Sequence, residues 1–145
     1  MRIAIGSDHA GYVLKVVLHK WLLEERHDVL DLGTDSEVPV DYPAFSASVA
    51  GLVASGDCQY GIVLGGSGQG EQIAANKTKG IRAALCNDLY TARMARLHND
   101  ANILTMGARI VAPHLAIEIL AVFLTTAFEG GRHTARIEQI ANLES

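Results

Sequence analysis

A glycine-rich loop that ends in a carboxylate is the feature of this sequence that most directly suggests chemistry. Four glycines lie between Gly65 and Gly70, after an apolar run and before a helical segment, and Glu71 follows at once. Backbone N–H groups in such a loop can point into one concavity and bind an anion. A carboxylate beside them suits a base that removes a proton from carbon next to a carbonyl, because the N–H groups would stabilise the enediolate. The purely structural interpretation is that the glycines turn the chain and Glu71 complements a helix N-terminus.

Two nucleotide-binding patterns fit this loop incompletely. Gly65 and Gly70 have the spacing of a phosphate-binding P-loop, but Glu71 stands where that motif requires a lysine. The dinucleotide fingerprint fails at the same position, which it requires to be a glycine or another small residue. Because Asp88 lies about 20 residues beyond the loop, where that fingerprint has an acidic residue, a nucleotide-binding module stays open as an alternative.

The loop belongs to a chain in which short apolar runs alternate with longer segments of helical period. This alternation is typical of repeated β-α units around a parallel sheet. Strands are predicted over 2–6, 29–32, 60–64, 82–86 and 102–106, and helices over 11–26, 43–55, 88–98, 113–126 and 132–143. In the first helix, one stripe is predicted to face the sheet: Val13, Leu14, Val17, Leu18, Trp21 and Leu22. We therefore expect one doubly wound α/β domain over residues 1–145, a Rossmann-like αβα sandwich with a five-stranded parallel sheet.

Ligands of such folds bind outside the carboxyl ends of the strands. Residues 7–11 follow the first strand, the glycine loop follows the third, and residues 107–109 follow the fifth. The segment His98-Asn99-Asp100 stands just before the fifth strand. We expect these polar, titratable and glycine residues to converge on one edge of the sheet.

Composition excludes several classes of protein. The 145 residues are 49% hydrophobic and 19% charged with a net charge of -4, and no basic run offers a nucleic-acid surface. Cys58 and Cys86 lie in apolar runs, so they are predicted to be reduced core residues rather than a disulfide or a metal site. The apolar runs fall short of the roughly 20 residues of a membrane span, and no signal peptide precedes the first strand. We expect a cytoplasmic protein with a small-molecule ligand.

Several short motifs, taken in order, closely resemble the type B ribose-5-phosphate isomerases, which belong to a family of sugar-phosphate isomerases. The motifs cover nearly the whole chain: residues 7–11, 41–43, 65–77, 80–83, 98–102 and 130–133. The resemblance implies interconversion of D-ribose 5-phosphate and D-ribulose 5-phosphate, a step of the pentose phosphate pathway, without a metal or a cofactor. It also implies the strand order 2-1-3-5-4 and a homodimer or a dimer of dimers, with the C-terminal helix contributing to the dimer and the phosphate site.

The sequence departs from many members of this family at one position. They carry a cysteine base at the start of the glycine loop, where this chain has Gly65. Neither Cys58 nor Cys86 falls at the matching place. A second subgroup lacks the cysteine and has a glutamate at the position of Glu71, and this sequence resembles that subgroup. The resemblance and the chemistry of the loop therefore favour the same base.

The resemblance also implies catalytic roles. His98, with Asn99, reaches in from the neighbouring subunit and opens the sugar ring. Glu71 moves a proton between C2 and C1, while Ser67 and the N–H groups of the loop stabilise the enediolate; those N–H groups belong to Gly66, Gly68 and Gly70. The structural alternative for His98 is a histidine satisfied near a helix C-terminus.

Substrate-binding roles follow in the same way. Asp8 matches the residue that bonds sugar hydroxyls, and Tyr42 matches the wall of the site. The phosphate needs cations, and the resemblance supplies His9, Arg109, Arg132, His133 and Arg136. The structural alternatives are that Asp8 caps the first helix and that Arg132 and Arg136 lie on a solvated helix face.

Two further functions stay open beside these roles. The same family contains allose 6-phosphate and galactose 6-phosphate isomerases, so the substrate is a five-carbon or a six-carbon sugar phosphate. A catalytically inactive subunit of a hetero-oligomer is the other alternative, although competent residues fill the matched positions apart from the cysteine.

Overall fold

A five-stranded parallel sheet organises the protein in this computed structural model, which describes residues 1–144. Its strands are β1 (Arg2–Ser7), β2 (Asp28–Asp31), β3 (Tyr60–Gly65), β4 (Ala83–Leu85) and β5 (Ile103–Gly107). They lie in the order β2-β1-β3-β5-β4, and every neighbouring pair is parallel. This arrangement confirms the predicted α/β fold and the strand order that the resemblance implies.

Six helices connect and cover the strands. They are α1 (Tyr12–Glu24), α2 (Tyr42–Ala54), α3 (Gln69–Ala75), α4 (Leu89–Leu97), α5 (Pro113–Thr125) and α6 (Arg132–Ala141). Proline stands in the first turn of α2 and of α5, where its missing N–H costs nothing. The Asp88 carboxylate caps α4 by accepting a hydrogen bond from the Thr91 N–H at 2.7 Å. Local capping signals of this kind explain why the ends of the five helices predicted with bounds lie within about two residues of the observed ones. For α3 the sequence indicated only a helical segment after the glycine loop.

Helices on both faces bury the central strands completely, as expected for a parallel sheet. Side chains alternate along β3, so Ile62 and Leu64 pack with α1, α4 and α5 on one face. Val63 packs with α2 and α3 on the other face. The two apolar layers make a single αβα sandwich that holds the carboxyl ends of β1, β3 and β5 side by side.

The prediction for α1 is wrong at Val13, and it missed the burial of Lys15. Val13 was expected to face the sheet but is 56% exposed, whereas Lys15 is buried at 2% exposure. The Lys15 ammonium donates hydrogen bonds to Asp31 Oδ1 at 2.6 Å and to the Thr34 carbonyl at 2.5 Å. Lysine is tolerated inside because these two acceptors compensate its lost hydration. Its bonds tie α1 to the end of β2 and to the loop that follows.

Both cysteines are buried thiols, as predicted. Burial raises the pKa of Cys58 and raises the pKa of Cys86 to about 11. These thiols therefore stay protonated near neutral pH and are poor nucleophiles. Within residues 1–144, none of the helices is both long enough and apolar enough to cross a membrane.

We predict that Lys15→Met lowers the free energy of unfolding by about 2 kcal/mol, because Asp31 and the Thr34 carbonyl lose their partner. The full cost of a broken buried pair is not expected, since Asp31 is one-third exposed. Urea denaturation followed by circular dichroism measures the change. The matched control is Lys20→Met on the same helix, whose pair with Glu24 is exposed, and it should leave the stability unchanged. Equal stability of the two variants would contradict the role of Lys15.

Candidate active site

The carboxylate of Glu71 lies in the space that a side chain at position 65 would occupy. Glu71 stands in the first turn of α3 and is only 4% exposed. A Cβ atom built on Gly65 would overlap the Glu71 carboxyl group. This placement of Glu71 therefore requires Gly65. A cysteine at position 65 would overlap the Glu71 carboxyl group, so it is incompatible with this conformation of Glu71.

The surroundings of Glu71 make it a stronger base than an exposed glutamate. Burial raises the pKa of Glu71 above its ordinary value of 4.5, its own backbone N–H opposes the rise, and the nearby charge of Asp8 adds to it. A higher pKa brings a carboxylate closer to the working range of a general base near neutral pH.

The glycine loop brings backbone N–H groups next to this carboxylate. Gly68 has a left-handed backbone conformation with φ of +83°, and a Cβ there would press against Met106 and Leu85. The Gly66 carbonyl accepts the Arg109 N–H, and the Gly68 carbonyl accepts the Gln72 N–H. Within residues 1–144 the N–H groups of Gly66 and Gly68 have no acceptor. These donors are available to an oxyanion.

A cleft of about 330 Å³ opens above Glu71 at the carboxyl edge of the sheet. It brings together the predicted residues from β1, α2, the glycine loop and the turn after β5: Asp8, His9, Tyr42, Gly66, Ser67, Gly70, Glu71 and Arg109. Gly68, which turns the loop, is buried beside these residues. Convergence of the three strand ends on one cleft follows from the parallel sheet.

Local contacts hold the polar side chains of this cleft in place. Asp8 Oδ1 accepts the Gly11 N–H at 3.0 Å, which closes the turn before α1. The N-cap of α1 is Gly11 and it has no side-chain cap, so the capping alternative for Asp8 is wrong. His9 Nδ1 accepts the Val40 N–H at 3.1 Å, which leaves Nε2 as the nitrogen able to donate. The Tyr42 ring packs directly on Gly70, where a Cβ would overlap it.

Five predicted site residues lie outside this cleft: His98, Asn99, Arg132, His133 and Arg136. The expectation that the segment beginning at His98 shares the edge with the glycine loop is wrong for a single chain. Residues 98–102 immediately precede β5, so they lie at its amino end, whereas the cleft lies at the carboxyl end. A five-residue strand separates the two ends by roughly 15 Å.

The outlying residues form a second cluster of their own. The rings of His98 and His133 stack with centroids 4.2 Å apart, and His98 Nε2 is 3.7 Å from Glu129 Oε2. His133 is buried, and its Nε2 has no hydrogen-bond partner among residues 1–144. Burial and the neighbouring His98, Arg132 and Arg136 lower the pKa of His133. Sequence reasoning missed Glu129, although the break at Glu129-Gly130-Gly131 placed it next to the predicted helix.

The atoms of His98, Glu129 and His133 lie close enough together to suggest a metal site. The two imidazole planes, however, differ by only 18°. The lone pairs of stacked rings run parallel rather than converging on one ion, as zinc ligation requires. This conformation of the cluster is therefore not arranged to bind a single metal ion.

A larger groove of about 630 Å³ lies between β4, α4 and α6. Of the predicted site residues it contains only Asn99, and its walls are mostly apolar. Asp88 lies outside both depressions, because its carboxylate caps α4. We assign the site to the smaller cleft, where titratable groups and free N–H donors meet.

The chain matches known proteins over nearly its whole length. Residues 3–140 match the family model described as Ribose/Galactose Isomerase. The chain is 43% identical to the ribose-5-phosphate isomerase B of Escherichia coli, over 99% of this chain and 96% of that protein. It is 44% identical to a putative sugar phosphate isomerase of Bacillus subtilis, over 99% and 97% of the two chains.

Solved structures agree with these matches. Ribose-5-phosphate isomerase B of Clostridium thermocellum superposes with a TM-score of 0.98 at 49% identity, covering 99% of this chain and 97% of that one. The Mycoplasma genitalium enzyme, solved with bound ribulose-5-phosphate, superposes with a TM-score of 0.95 at 41% identity, covering 99% and 95%.

We predict that Asp8→Asn lowers the pKa of Glu71, because the substitution removes the negative charge that disfavours ionisation of the second carboxyl group. The pKa is measured from the ¹³C chemical shift of the Glu71 side-chain carboxyl against pH. In the wild-type protein it should exceed 4.5. Because the folded protein binds this proton more tightly than the unfolded chain, the contribution of Glu71 to stability falls as pH rises from 4.5 through that pKa.

The matched control for this titration is Asp57→Asn, which removes an exposed carboxylate before β3, at the opposite edge of the sheet. It should leave the Glu71 titration unchanged. Equal shifts in the two variants would contradict a direct effect of Asp8.

Proposed function

The chain belongs to the ribose/galactose isomerase family, and we propose that this aldose-ketose isomerase interconverts D-ribose 5-phosphate and D-ribulose 5-phosphate. The observation that carries the proposal is the buried Glu71 carboxylate beside unpaired loop N–H groups. This pairing suits proton transfer between two carbons, because the base and the oxyanion donors lie on the same side of the cleft.

The reaction begins with ring opening. Ribose 5-phosphate is mostly a closed furanose, so the anomeric hydroxyl must lose a proton while the ring oxygen gains one. His98 is suited to this exchange, since an imidazole both donates and accepts protons near neutral pH. Asn99, next to it, can hold the sugar oxygens through its amide.

Proton transfer follows on the open-chain aldehyde. Glu71 removes the proton from C2, which leaves a cis-enediolate whose O1 charge is met by the N–H groups of Gly66, Gly68 and Gly70. Ser67 passes the hydroxyl proton from O2 to O1, and Glu71 returns its own proton to C1. The carbonyl is then at C2 and the ketose is complete. No atom is gained or lost and the step has no net change of oxidation state, so it needs no redox cofactor.

The phosphate is bound by cations from both clusters. His9 and Arg109 line the cleft, and the Arg109 guanidinium lies over Gly66. Arg132, His133 and Arg136 begin α6 and carry the remaining donors. Arginines four residues apart on a helix can face one anion together.

The two clusters can serve one reaction only across an interface between two copies. They lie at opposite edges of the same sheet, so His98 and Glu71 of one chain cannot meet. We propose a homodimer in which His98, Asn99 and the cationic start of α6 of one copy cover the cleft of the other. Two such dimers could pair further without altering either site.

An isomerase of a six-carbon aldose 6-phosphate is the second candidate. The family description includes galactose, and allose 6-phosphate requires the same proton transfer. We favour ribose 5-phosphate because the identity to enzymes named for it extends over the whole chain.

We predict that Glu71→Gln lowers the turnover of ribose 5-phosphate at least about 100-fold, because an amide cannot accept the C2 proton. The substrate should still bind, since the cations are untouched. The assay follows ribulose 5-phosphate formation with a chelator present, with allose 6-phosphate and galactose 6-phosphate as comparators. The control is Gln72→Glu, next to the base, which keeps Glu71 intact. Near wild-type turnover by Glu71→Gln would reject this base, and faster turnover of a six-carbon sugar would favour the second candidate.

We predict that two inactive variants restore one another when mixed. Glu71→Gln and His98→Asn, refolded together, should recover up to about one quarter of wild-type activity, because half of the dimers are mixed and each contains one intact site. The control pairs Glu71→Gln with Ser67→Ala, whose defects lie in the same cleft. Every site of that mixed dimer keeps one defect, so no recovery is expected. Equal recovery in both mixtures, or none in the first although mixed dimers form, would contradict a shared site.

A further inference from the structure

We propose that Asp100 is a positioning residue for the ring-opening step. Its carboxylate, held between Arg82 and Arg96, fixes the backbone that presents His98 and Asn99 to the second copy. We name these three residues, Arg82, Arg96 and Asp100, the Asp100 clamp. The inference rests on the proposed function, because it assigns a purpose to the geometry around His98.

The backbone of Asp100 adopts a conformation that glycine normally supplies. Its φ is +46°, and its N–H donates to the Arg96 carbonyl at 3.3 Å just beyond the end of α4. Helices often end in such a left-handed residue, which is usually glycine because a Cβ is disfavoured there. A conformation of this kind persists only where surrounding contacts enforce it, which points to the side chain of Asp100.

Both carboxylate oxygens of Asp100 are engaged by different arginines. Arg96 Nη1 donates to Oδ1 at 2.9 Å, and Arg82 Nη2 donates to Oδ2 at 3.3 Å. Arg82 Nε also donates to the Asp100 carbonyl at 2.9 Å. Charge-assisted bonds from two sides fix the position of the side chain and of the backbone that carries it.

Arg96 anchors the clamp in the core. It is only 5% exposed, and its guanidinium lies 4.9 Å from the centre of the Tyr60 ring. It donates to the Thr126 carbonyl at 3.1 Å and to the Ala101 carbonyl at 2.6 Å. These contacts hold the Arg96 guanidinium in one position, because each of them would have to break before the group could move.

The bond from the His98 N–H to the Met94 carbonyl at 2.9 Å holds the backbone before His98, and the clamp holds the backbone after it. The His98 side chain is 37% exposed. It stacks on the His133 ring and forms a long pair with the Glu129 carboxylate. Reaction across an interface needs the imidazole in one place, and a displacement of about 1 Å can cost a factor of 100 in rate. None of the three clamp residues lines the Glu71 cleft. We therefore expect the clamp to affect the rate of ring opening and not the rate of proton transfer between C2 and C1.

These two steps can be measured separately. Turnover of ribose 5-phosphate requires ring opening, whereas ribulose 5-phosphate is an open chain, because the phosphate blocks the hydroxyl that would close its ring. Exchange of a C1 hydrogen of ribulose 5-phosphate with deuterium oxide therefore reports the proton transfer at Glu71 without the ring-opening step. Both rates are followed by ¹H NMR on the same preparation of the full-length enzyme.

We expect Asp100→Asn to lower ribose 5-phosphate turnover about 10- to 100-fold and to leave the C1 exchange within about twofold of wild type. Asparagine tolerates the left-handed conformation, but its amide presents a donor to one arginine where the carboxylate accepted from both. Asp100→Gly allows the left-handed backbone conformation but removes the carboxylate, so it tests the two roles separately. A purely conformational role predicts full turnover with glycine, and the proposed role predicts the same selective loss.

Two further variants complete the test. Arg82→Gln removes half of the clamp from a partly exposed position and should show the same selective loss if Asp100→Asn fails to fold. The matched control is Asp28→Asn, which breaks an exposed pair with Arg2 and should change neither rate. Equal falls in turnover and exchange, or full turnover by Asp100→Gly, would overturn the inference. A wild-type protein with neither turnover nor exchange would instead reject the proposed function.

Discussion

The close approach of the Glu71 carboxylate to the backbone of Gly65 is the interaction on which the candidate site depends. The carboxylate fills the volume of a missing side chain, which buries it and places it against the glycine loop. Burial raises its pKa, and the loop brings the N–H groups that an enediolate needs. The missing Cβ atom at position 65 thus links the position of this carboxylate to the shape of the loop, because any larger residue there would displace the Glu71 carboxyl group from its present place.

The parallel sheet imposes the second constraint. It gathers the ends of β1, β3 and β5 into one cleft, and by the same geometry it moves the residues before β5 to the opposite edge. A single chain therefore carries the proposed base at one edge and the proposed ring-opening histidine at the other. The homodimer that we propose would remove this separation, since the carboxyl edge of one sheet can face the amino edge of another. In this arrangement the oligomer is part of the chemistry.

Two buried cationic side chains, Lys15 and Arg96, lie where they hold the backbone in one conformation. Lys15 ties α1 to the end of β2, and Arg96 ties the end of α4 to the core. In both cases a long cationic side chain reaches carbonyl groups that no helix or strand satisfies. Burying such a charge is costly unless every donor finds a partner, so these residues specify local geometry more than they add stability.

The amino-acid sequence alone was enough to predict the sandwich, the strand order through the family resemblance, and the residues that line the cleft. Apolar runs and capping residues are local signals, and residues that follow parallel strands must share an edge. Two features could be recognised only in the folded chain: Lys15 rather than Val13 is buried, and Glu71 fills the space at Gly65. Each of these depends on partners distant in the chain, such as Asp31 for Lys15, and periodicity carries no information about such partners. The left-handed Asp100 and its two arginines belong to the same class, because their contacts form only when Arg82 meets the segment that carries Arg96 and Asp100.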